Sequence, residues 1–213
     1  MSLIAKELVK HEKIFEFTSL YEDYLRQNTD RKIWLVNTNK LVKFYDGVDG
    51  LKTGFTDGAG YCITATAKRD GLRIIAVVMG EPTSKMRNKE ISEMFDYSFA
   101  QYNMKRILNS NTIGKYKVEG GKEEYINVDV KEPASVLVRK GEDVKEYSYD
   151  VFVDDLKAPL KKNKTVGKLN IRKGKELVRT IDLIVSKNIP KINILELFLR
   201  NMKNIIAGNI NLE

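Results

Sequence analysis

The residues best suited to chemistry in this sequence are the consecutive triplet Lys52, Thr53 and Gly54. A strand that carries them offers an ammonium group, a hydroxyl donor and a glycine that lets a substrate backbone approach closely. Such a strand suits the wall of a cleft into which the lysine projects. A structural zinc site is excluded, because the chain has one histidine (His11) and one cysteine (Cys62), too few for a four-ligand site of these residue types.

The segments around the triplet predict a helix packed on an antiparallel sheet. Residues 51–56, 61–67 and 72–79 are rich in β-forming residues and are separated by short turns that contain Gly and Asp, which favours three antiparallel strands. The third run, LRIIAVVM, is apolar enough to be buried on both faces. After the candidate capping residues Thr83 and Ser84, apolar residues recur at helical spacing up to Tyr102 and predict a helix with one apolar face against this sheet.

Upstream of the triplet, residues 3–27 predict one or two helices. The second of them has its apolar residues at helical spacing from Leu20 to Leu25. Residues 33–36 predict a short strand in which Trp34 packs in the core or in a cleft wall.

From about residue 106 the sequence changes to short β-rich runs separated by Gly-, Asp- or Lys-rich turns, which is typical of a small β-sandwich or barrel. Beyond Pro190, apolar residues occupy one side of a helical arc and polar residues the other, which predicts an amphipathic helix. The expected domains are therefore residues 1–105, 106–188 and 189–213. The β-rich runs are residues 113–118, 125–130, 135–138, 147–153, 166–171 and 177–185.

The triplet and its flanks resemble the third-motif region of the serine D-alanyl-D-alanine carboxypeptidases, the low-molecular-mass penicillin-binding proteins. The helices before the motif and the β-rich domain after it fit this family as well, so the resemblance covers nearly the whole chain. It implies an α+β fold, with an incomplete β-lactamase/transpeptidase-like domain, a small β-rich sandwich domain and a C-terminal amphipathic helix. The matching letters are DGLKTGFT at Asp49–Thr56, AGY at Ala59–Tyr61, VMG at Val78–Gly80, Thr83 and Arg87.

The resemblance implies a role for each residue of the motif. In this family a serine attacks the penultimate D-Ala carbonyl of a peptidoglycan stem peptide, the terminal D-Ala leaves, and water hydrolyses the acyl-enzyme. Lys52 is then the catalytic residue of this chain, since it charges the cleft and assists proton transfer. No cofactor or metal is implied. The implied substrate-binding residues have three roles. Gly54 permits close approach of the substrate, and the Phe55 backbone N–H is a donor of the oxyanion hole. Thr53 and Thr56 direct their hydroxyls at the substrate carboxylate, and Arg87 contacts the same carboxylate.

The departure from the family lies in its other two motifs. No serine in this chain is followed three residues later by lysine, and we expect neither S-x-N nor S-D-N anywhere in the chain. The polypeptide by itself is therefore expected to be inert toward peptide and penicillin. Together with the abrupt helical start at Leu3, this predicts the C-terminal part of a longer carboxypeptidase. The alternative is a non-catalytic cell-envelope-binding or spacer module that retains a vestigial K-T-G strand, and a compact β-lactamase fits less well because of the β-rich domain and basic helix.

Positive charge is concentrated near the C-terminus. The chain has a formal net charge of +8, whereas residues 157–213 hold 13 Lys/Arg against 4 Asp/Glu and so carry +9. A basic amphipathic helix over residues 190–208 favours an anionic membrane surface, with docking on the β-rich domain or helix pairing in an oligomer as alternatives. Nucleic acid is a poor partner, since no dense basic run and no aromatic recognition motif occurs.

These features together predict where the protein acts and what it meets. The family resemblance and the basic helix place the parent protein outside the cytoplasm, peripheral on the outer face of the cytoplasmic membrane. Its expected partners are peptidoglycan stem peptides and, for the intact protein, β-lactam antibiotics. An incomplete sheet would also leave the edge at residues 72–79 open, so we expect homo-oligomerisation through that strand or through the exposed helix face.

Overall fold

A computed structural model describes residues 1–207 of the chain. Close contacts divide it into two compact units. The first comprises Met1–Met104 and Leu137–Glu142, and the second comprises Lys105–Val136 and the described residues from Asp143 onward. No helix within residues 1–207 is both long enough and apolar enough to cross a bilayer.

The first unit begins with helical segments and continues with two groups of strands. Its sheets are antiparallel throughout, and a long helix follows the second group. In chain order the elements are α1 (Ser2–Leu8), a 3-10 turn (Glu12–Ile14), α2 (Phe15–Thr18), β1 (Glu22–Leu25), β2 (Ile33–Val36), α3 (Leu41–Phe44), β3 (Val48–Thr56), β4 (Gly60–Arg69), β5 (Leu72–Glu81) and α4 (Ser84–Gln101).

The central sheet of this unit has the order β3-β4-β5, which confirms the three strands predicted around the triplet. Helix α4 packs on one face of it, as predicted, and buries Ile91 and Phe95 there. The helix begins where the Thr83 side chain accepts a hydrogen bond from the Met86 N–H at 3.1 Å, a typical N-cap. Within the described residues β3 and β5 each have one strand neighbour, so both edges of the sheet are open.

The expectation that β5 is buried on both faces is wrong. Only Leu72 and Ala76 are buried along this strand, and Met79 is 62% exposed. The reason is that α4 covers one face of the sheet, whereas the short α1 covers only part of the other face.

The predicted second helix before the triplet is also wrong, because residues 22–25 form strand β1. This strand pairs with β2 in an antiparallel hairpin that places Tyr24 opposite Trp34. Cross-strand pairs of aromatic residues stabilise such hairpins, and over so short a window they outweigh helical spacing. Trp34 is not in the core either: its side chain is 59% exposed and its indole N–H donates to Glu22 Oε2 at 3.2 Å.

The second unit is built mainly from strands, as predicted for each of the six β-rich runs. Five of them form one antiparallel sheet in the order β10-β11-β12-β8-β7. The short strands β6 and β9 pair with each other, and most of their residues belong to the first unit. The expected α+β class, an antiparallel sheet with helices followed by a β-rich part, is thereby confirmed. The remaining elements are β6 (Tyr102–Arg106), β7 (Thr112–Lys117), β8 (Tyr125–Val130), β9 (Ser135–Arg139), β10 (Tyr147–Val153), β11 (Thr165–Lys173), β12 (Glu176–Val185) and α5 (Ile194–Ile206).

The core of the five-stranded sheet follows from strict alternation along its central strands. Successive side chains of a strand point to opposite faces, and on β8 and in the second half of β12 every second residue is apolar and fully or nearly fully buried. The buried residues are Ile126, Val128 and Val130 on β8 and Ile181, Leu183 and Val185 on β12. One face of this sheet is therefore a purely aliphatic core.

Candidate functional site

Strand β3 separates the side chains of the triplet by its pleat. Thr53 lies opposite Ile63 of β4 and is 9% exposed on the face that carries α4. Lys52 lies opposite Thr64 on the other face and is exposed. Its Nζ donates to the Thr53 carbonyl oxygen at 2.6 Å, so the ammonium group is held beside its own strand.

A cavity of about 530 Å³ brings most of the predicted site residues together. Five of the six line it, and the sixth, Thr56, does not. The turn before α3 adds two further polar residues to the wall of this cavity, the hydroxyl-bearing Thr38 and the cationic Lys40. The lining residues are Thr38, Lys40, Lys52, Thr53, Gly54, Phe55, Tyr61, Ser84, Arg87 and Asn88. The cavity is therefore positively charged and is rich in hydrogen-bond donors.

Arg87 is the most deeply placed cation of this cavity, with 5% of its surface exposed. Its Nε and Nη2 donate to Asn88 Oδ1 at 3.1 and 2.8 Å, which fixes the guanidinium. Burial lowers the pKa of Arg87, and the nearby Tyr61 and Cys62 act in the opposite direction. Because arginine stays protonated at neutral pH, a buried positive charge faces the cavity.

The open edge of β3 is accessible around Gly54. A Cβ atom added at this glycine would meet no other atom within 4 Å, so a ligand can approach the backbone closely on that face of the strand. The next residue, Phe55, is 55% exposed and its ring lies 4.4 Å from that of Tyr61. Thr56 has a structural contact, since its hydroxyl accepts a hydrogen bond from the Ala59 N–H at 3.0 Å in the β3-β4 turn.

Lys52 also borders a second, apolar cavity of about 280 Å³ on the other face of the sheet. Helix α1 contributes Ile4 and Leu8 to it, and strand β5 contributes Met79. The Cys62 side chain lies in this wall, half-buried, with its Sγ 3.3 Å from the Ala59 carbonyl oxygen. Lys52 therefore lines both the positively charged cavity and this apolar cavity.

Sequence reasoning did not single out Thr38, although its hydroxyl is bonded to the triplet. Thr53 Oγ1 and Thr38 Oγ1 are joined by a hydrogen bond of 2.7 Å. The sequence signal that could have indicated it is the run Asn37-Thr38-Asn39. Asn side chains stabilise turns by hydrogen-bonding the backbone, so this run predicts a fixed turn that presents Thr38. Among residues 1–207 no cluster of three His, Cys, Asp or Glu side chains is placed to hold a metal ion.

One expectation about motifs needs correction. The letters S-x-N do occur once, at Ser186-Lys187-Asn188, but after the triplet and in the second unit. There Asn188 Oδ1 accepts from the Lys162 N–H at 2.7 Å, and the Ser186 N–H donates to the Asn127 carbonyl. These contacts hold a loop, so the occurrence is structural.

Helix α5 forms a separate surface in the second unit. Its polar residues face the body: Glu196 pairs with Lys122 at 2.9 Å, and Arg200 donates to the Gly121 carbonyl at 3.0 Å and pairs with Glu124 at 3.2 Å. The Lys122 ammonium lowers the pKa of Glu196. The apolar side chains face outward and are exposed: Ile194, Leu195, Leu197, Phe198, Leu199, Met202, Ile205 and Ile206.

Two family models match separate parts of the chain. A model described as D-alanyl-D-alanine carboxypeptidase matches residues 1–83. A model described as penicillin-binding protein 5, C-terminal domain, matches residues 102–191. The two matches follow the same order as the two units of the structure.

Curated relatives align with both parts at once. The chain is 43% identical over 204 residues to the D-alanyl-D-alanine carboxypeptidase DacF of Bacillus subtilis (strain 168), which covers 95% of this chain and 52% of that protein. It is 30% identical over 202 residues to DacA of Escherichia coli (strain K12), covering 91% and 48% respectively. The chain thus spans about half the length of the curated relatives it matches.

Solved structures show the same fold. Penicillin binding protein 5 from Haemophilus influenzae is similar with a TM-score of 0.55 and 25% identity, covering 83% of this chain and 51% of that one. A peptidoglycan synthesis regulatory factor (PBP3) from Streptococcus pneumoniae is similar with a TM-score of 0.61 and 23% identity, covering 87% and 55%.

Proposed function

Because the chain belongs to the D-alanyl-D-alanine carboxypeptidase family, we propose that the protein containing it removes the terminal D-Ala of peptidoglycan stem peptides. The observation that supports this most directly is the open edge of β3 beside a cavity that collects Lys52, Thr53 and Arg87. An extended peptide that adds to this edge would bring its C-terminal carboxylate into a positively charged space. A substrate with a free C-terminus is what such a site favours.

In the proposed reaction, a serine from outside these 213 residues attacks the penultimate carbonyl and forms a tetrahedral oxyanion. The Phe55 backbone N–H, on the open edge, donates to that oxyanion. The terminal D-Ala leaves with a proton, and water then cleaves the acyl-enzyme. Lys52 holds positive charge at the cleft and assists the proton transfers, for which its exposed position on the strand is suited.

The proposed carboxylate subsite combines two kinds of donor. Arg87 supplies a buried charge whose guanidinium is already oriented by Asn88, and Thr53 supplies a hydroxyl on the cavity wall. The oxygen of Thr56 accepts a bond within its turn, which leaves its own proton free to donate. Since β-lactams carry a carboxylate beside a strained acyl group, we propose that they acylate the intact protein at the same site.

The test is acylation of the complete polypeptide by fluorescent penicillin, followed on gels as a rate. We expect Lys52→Ala to slow acylation by about 100-fold or more, in the range usual for loss of a group that assists proton transfer. Lys68→Ala is the matched control, since Lys68 is an exposed lysine on the neighbouring strand β4, and it should leave the rate unchanged. An unchanged rate in Lys52→Ala would contradict the assigned role.

A second candidate function follows from the missing nucleophile motif. If the complete polypeptide has no S-x-x-K and is not labelled by penicillin, it is a non-catalytic envelope-binding or spacer module that retains the K-T-G strand. Sequencing the coding region upstream of Leu3 together with the labelling assay separates the two functions. The 213 residues by themselves are expected to remain unlabelled in both cases.

For the second unit we propose a peripheral position on the outer face of the cytoplasmic membrane. The support is the orientation of α5, whose polar side pairs with the β-rich body while its apolar side faces outward. The positive charge of residues 157–213 would add attraction to anionic lipid, at about 1 kcal/mol for each basic group near the surface. On this view residues 106–188 act as the spacer between the catalytic domain and residues 189–213, of which 208–213 lie outside the described part.

We also propose that the 213-residue chain associates with itself. The supporting observations are the open edge of β5 and the exposed apolar residues of α5. An unpaired apolar edge is a template for a strand of a second copy.

A further inference from the structure

Thr38 lines the cavity, and its hydroxyl is hydrogen-bonded directly to the K-T-G triplet. It lies in the turn before α3, while its partner Thr53 lies on β3. The two oxygens are 2.7 Å apart. Both residues line the positively charged cavity.

The turn that presents Thr38 is held by the asparagine on each side of it. Asn37 Nδ2 donates to the carbonyls of Thr18 and Leu20 at 3.1 and 2.9 Å. Asn37 Oδ1 accepts from the Asn39 N–H at 2.8 Å. These contacts tie the turn to the segment that follows α2.

Asn39 ties the same turn to the start of the K-T-G strand. It is fully buried, and its Nδ2 donates to the Gly50 carbonyl of β3 at 3.0 Å. Its Oδ1 accepts from the Leu41 N–H at 3.2 Å. Breaking such a buried hydrogen bond would leave an unsatisfied polar group, which costs free energy. The bond therefore holds the turn against strand β3. The distance between the two threonine hydroxyls is thereby fixed by the fold.

A hydroxyl has one proton to donate and two lone pairs that accept. Thr53 and Thr38 share one hydrogen bond at 2.7 Å, and either hydroxyl can supply its proton. A carboxylate only accepts hydrogen bonds, so Thr53 binds one only when its own proton points away from Thr38. The hydrogen bond between the two threonines is then kept only if Thr38 donates to Thr53 Oγ1. A hydroxyl that accepts a hydrogen bond is polarised and becomes a stronger donor, so Thr38 strengthens the bond from Thr53 to the carboxylate.

We propose that Thr38 is a positioning residue for recognition of the substrate carboxylate, acting through Thr53 as a two-hydroxyl relay. The inference rests on the proposed carboxypeptidase function for the identity of the ligand. Lys40 and Arg87 in the same wall favour an anion there, whereas the relay supplies a directed donor. Thr38 itself is exposed and is bonded to Thr53 by its hydroxyl, so its loss leaves the strand in place but Thr53 without a partner.

The kinetic test uses the complete polypeptide, with two acyl-D-Ala-D-Ala peptides that differ in having a C-terminal carboxylate or a C-terminal amide. We expect Thr38→Val to lower kcat/KM for the carboxylate peptide by about tenfold, mainly through KM, and to leave the amide peptide nearly unchanged. Thr38→Ser retains the hydroxyl and should restore the activity. Thr53→Val removes the direct donor and should lose at least as much as Thr38→Val, and the double variant should lose no more than Thr53→Val alone, since Thr38 acts only through Thr53.

Thr180→Val is the matched control, because Thr180 also bonds a neighbouring side chain, Asn170 at 2.8 Å, but in the second unit. It should not change the kinetics. Equal losses for both peptides in Thr38→Val, or a full additional loss when Thr38→Val is added to Thr53→Val, would overturn the relay.

A binding measurement keeps this test independent of the proposed function. If the complete polypeptide is not acylated by penicillin, the carboxypeptidase proposal fails, and the same two peptides are then titrated against the 213-residue chain by calorimetry. A preference for the carboxylate peptide that Thr38→Val abolishes and Thr38→Ser retains supports the relay. Equal binding of both peptides, or binding of neither, overturns it.

Discussion

The sheet that carries the K-T-G strand and the five-stranded sheet of the second unit are both antiparallel, but they differ in what they bury. Around the first sheet the described structure buries polar side chains as well as apolar ones: Asn39, Thr53, Thr64, Thr66 and Arg87. The second sheet buries aliphatic residues on β8 and β12, and Ser135 is the one buried polar residue identified in the second unit's described part.

This difference in buried residues suggests different roles for the two units. Buried polar groups cost free energy unless they are bonded, so a cluster of them marks the place where the fold maintains a site. A purely aliphatic core contributes stability and shape without offering groups for chemistry. We therefore assign ligand recognition to the first unit and support to the second, and each of the following changes tests one side of that contrast.

The largest effect is expected from a cavity in the aliphatic core. Leu183 on β12 is fully buried, and Leu183→Ala should lower the free energy of unfolding by about 3 kcal/mol through lost burial and the space left behind. Leu177 lies on the same strand and is 50% exposed, so Leu177→Ala should cost well under half as much. Urea denaturation of the 213-residue chain followed by circular dichroism measures both, and similar losses would mean that β12 is not the core of its sheet.

The second change tests the apolar side of α5 as a membrane surface. Phe198 is 59% exposed there, and Phe198→Glu replaces an apolar contact with a charge that anionic lipid repels. Sedimentation with anionic vesicles should show binding weakened by about tenfold or more. Ser148→Glu adds the same charge at an exposed residue of strand β10 and should have a small effect. Vesicle binding that responds equally to both variants would indicate simple charge attraction.

The third change tests the open edge of β5. If copies of the 213-residue chain pair along this edge, light scattering at micromolar concentration should show a mass that rises with concentration. Met79 is 62% exposed on the strand, and Met79→Lys should shift the chain toward the monomer, because a charge on an edge strand opposes pairing. Met94→Lys makes the same substitution on α4 and should not. A monomeric wild-type chain at all these concentrations would rule out self-association.

The smallest expected effect concerns a polar contact under α4. Tyr45 donates its hydroxyl to Asp96 Oδ1 at 2.6 Å, and burial, followed by this bond, raises the pKa of Tyr45 from 10.0 to about 12. A pKa raised in the folded state contributes stability that is present below pH 10 and is lost as the pH rises toward 12. Unfolding free energies measured across this range should therefore fall, and less so in Tyr45→Phe. Identical curves for the two proteins would show that Tyr45 ionises normally.

Much of the fold was predictable because its signals are local. The strands β8 and β10 lie where the β-rich runs between turns predicted them, and α4 begins at Thr83, one of its two predicted caps. The second helix was predicted wrongly because Leu20 to Leu25 satisfy helical spacing over too few residues, and the pairing of Tyr24 with Trp34 is a contact between distant residues. The exposure of β5 was missed for the same kind of reason, since it depends on which helices cover the sheet.

The sequence by itself determined the family, the K-T-G strand and the strands and helix that follow it, because motif letters and periodicity are properties of neighbouring residues. Only the tertiary structure decided that Thr53 faces α4 while Lys52 faces the other side, that Arg87 is buried beside the same cavity, and that Thr38 meets Thr53. It also decided that α5 presents its apolar side outward. These facts depend on contacts between segments far apart in the chain, and such contacts are set by packing, which no single stretch of sequence encodes.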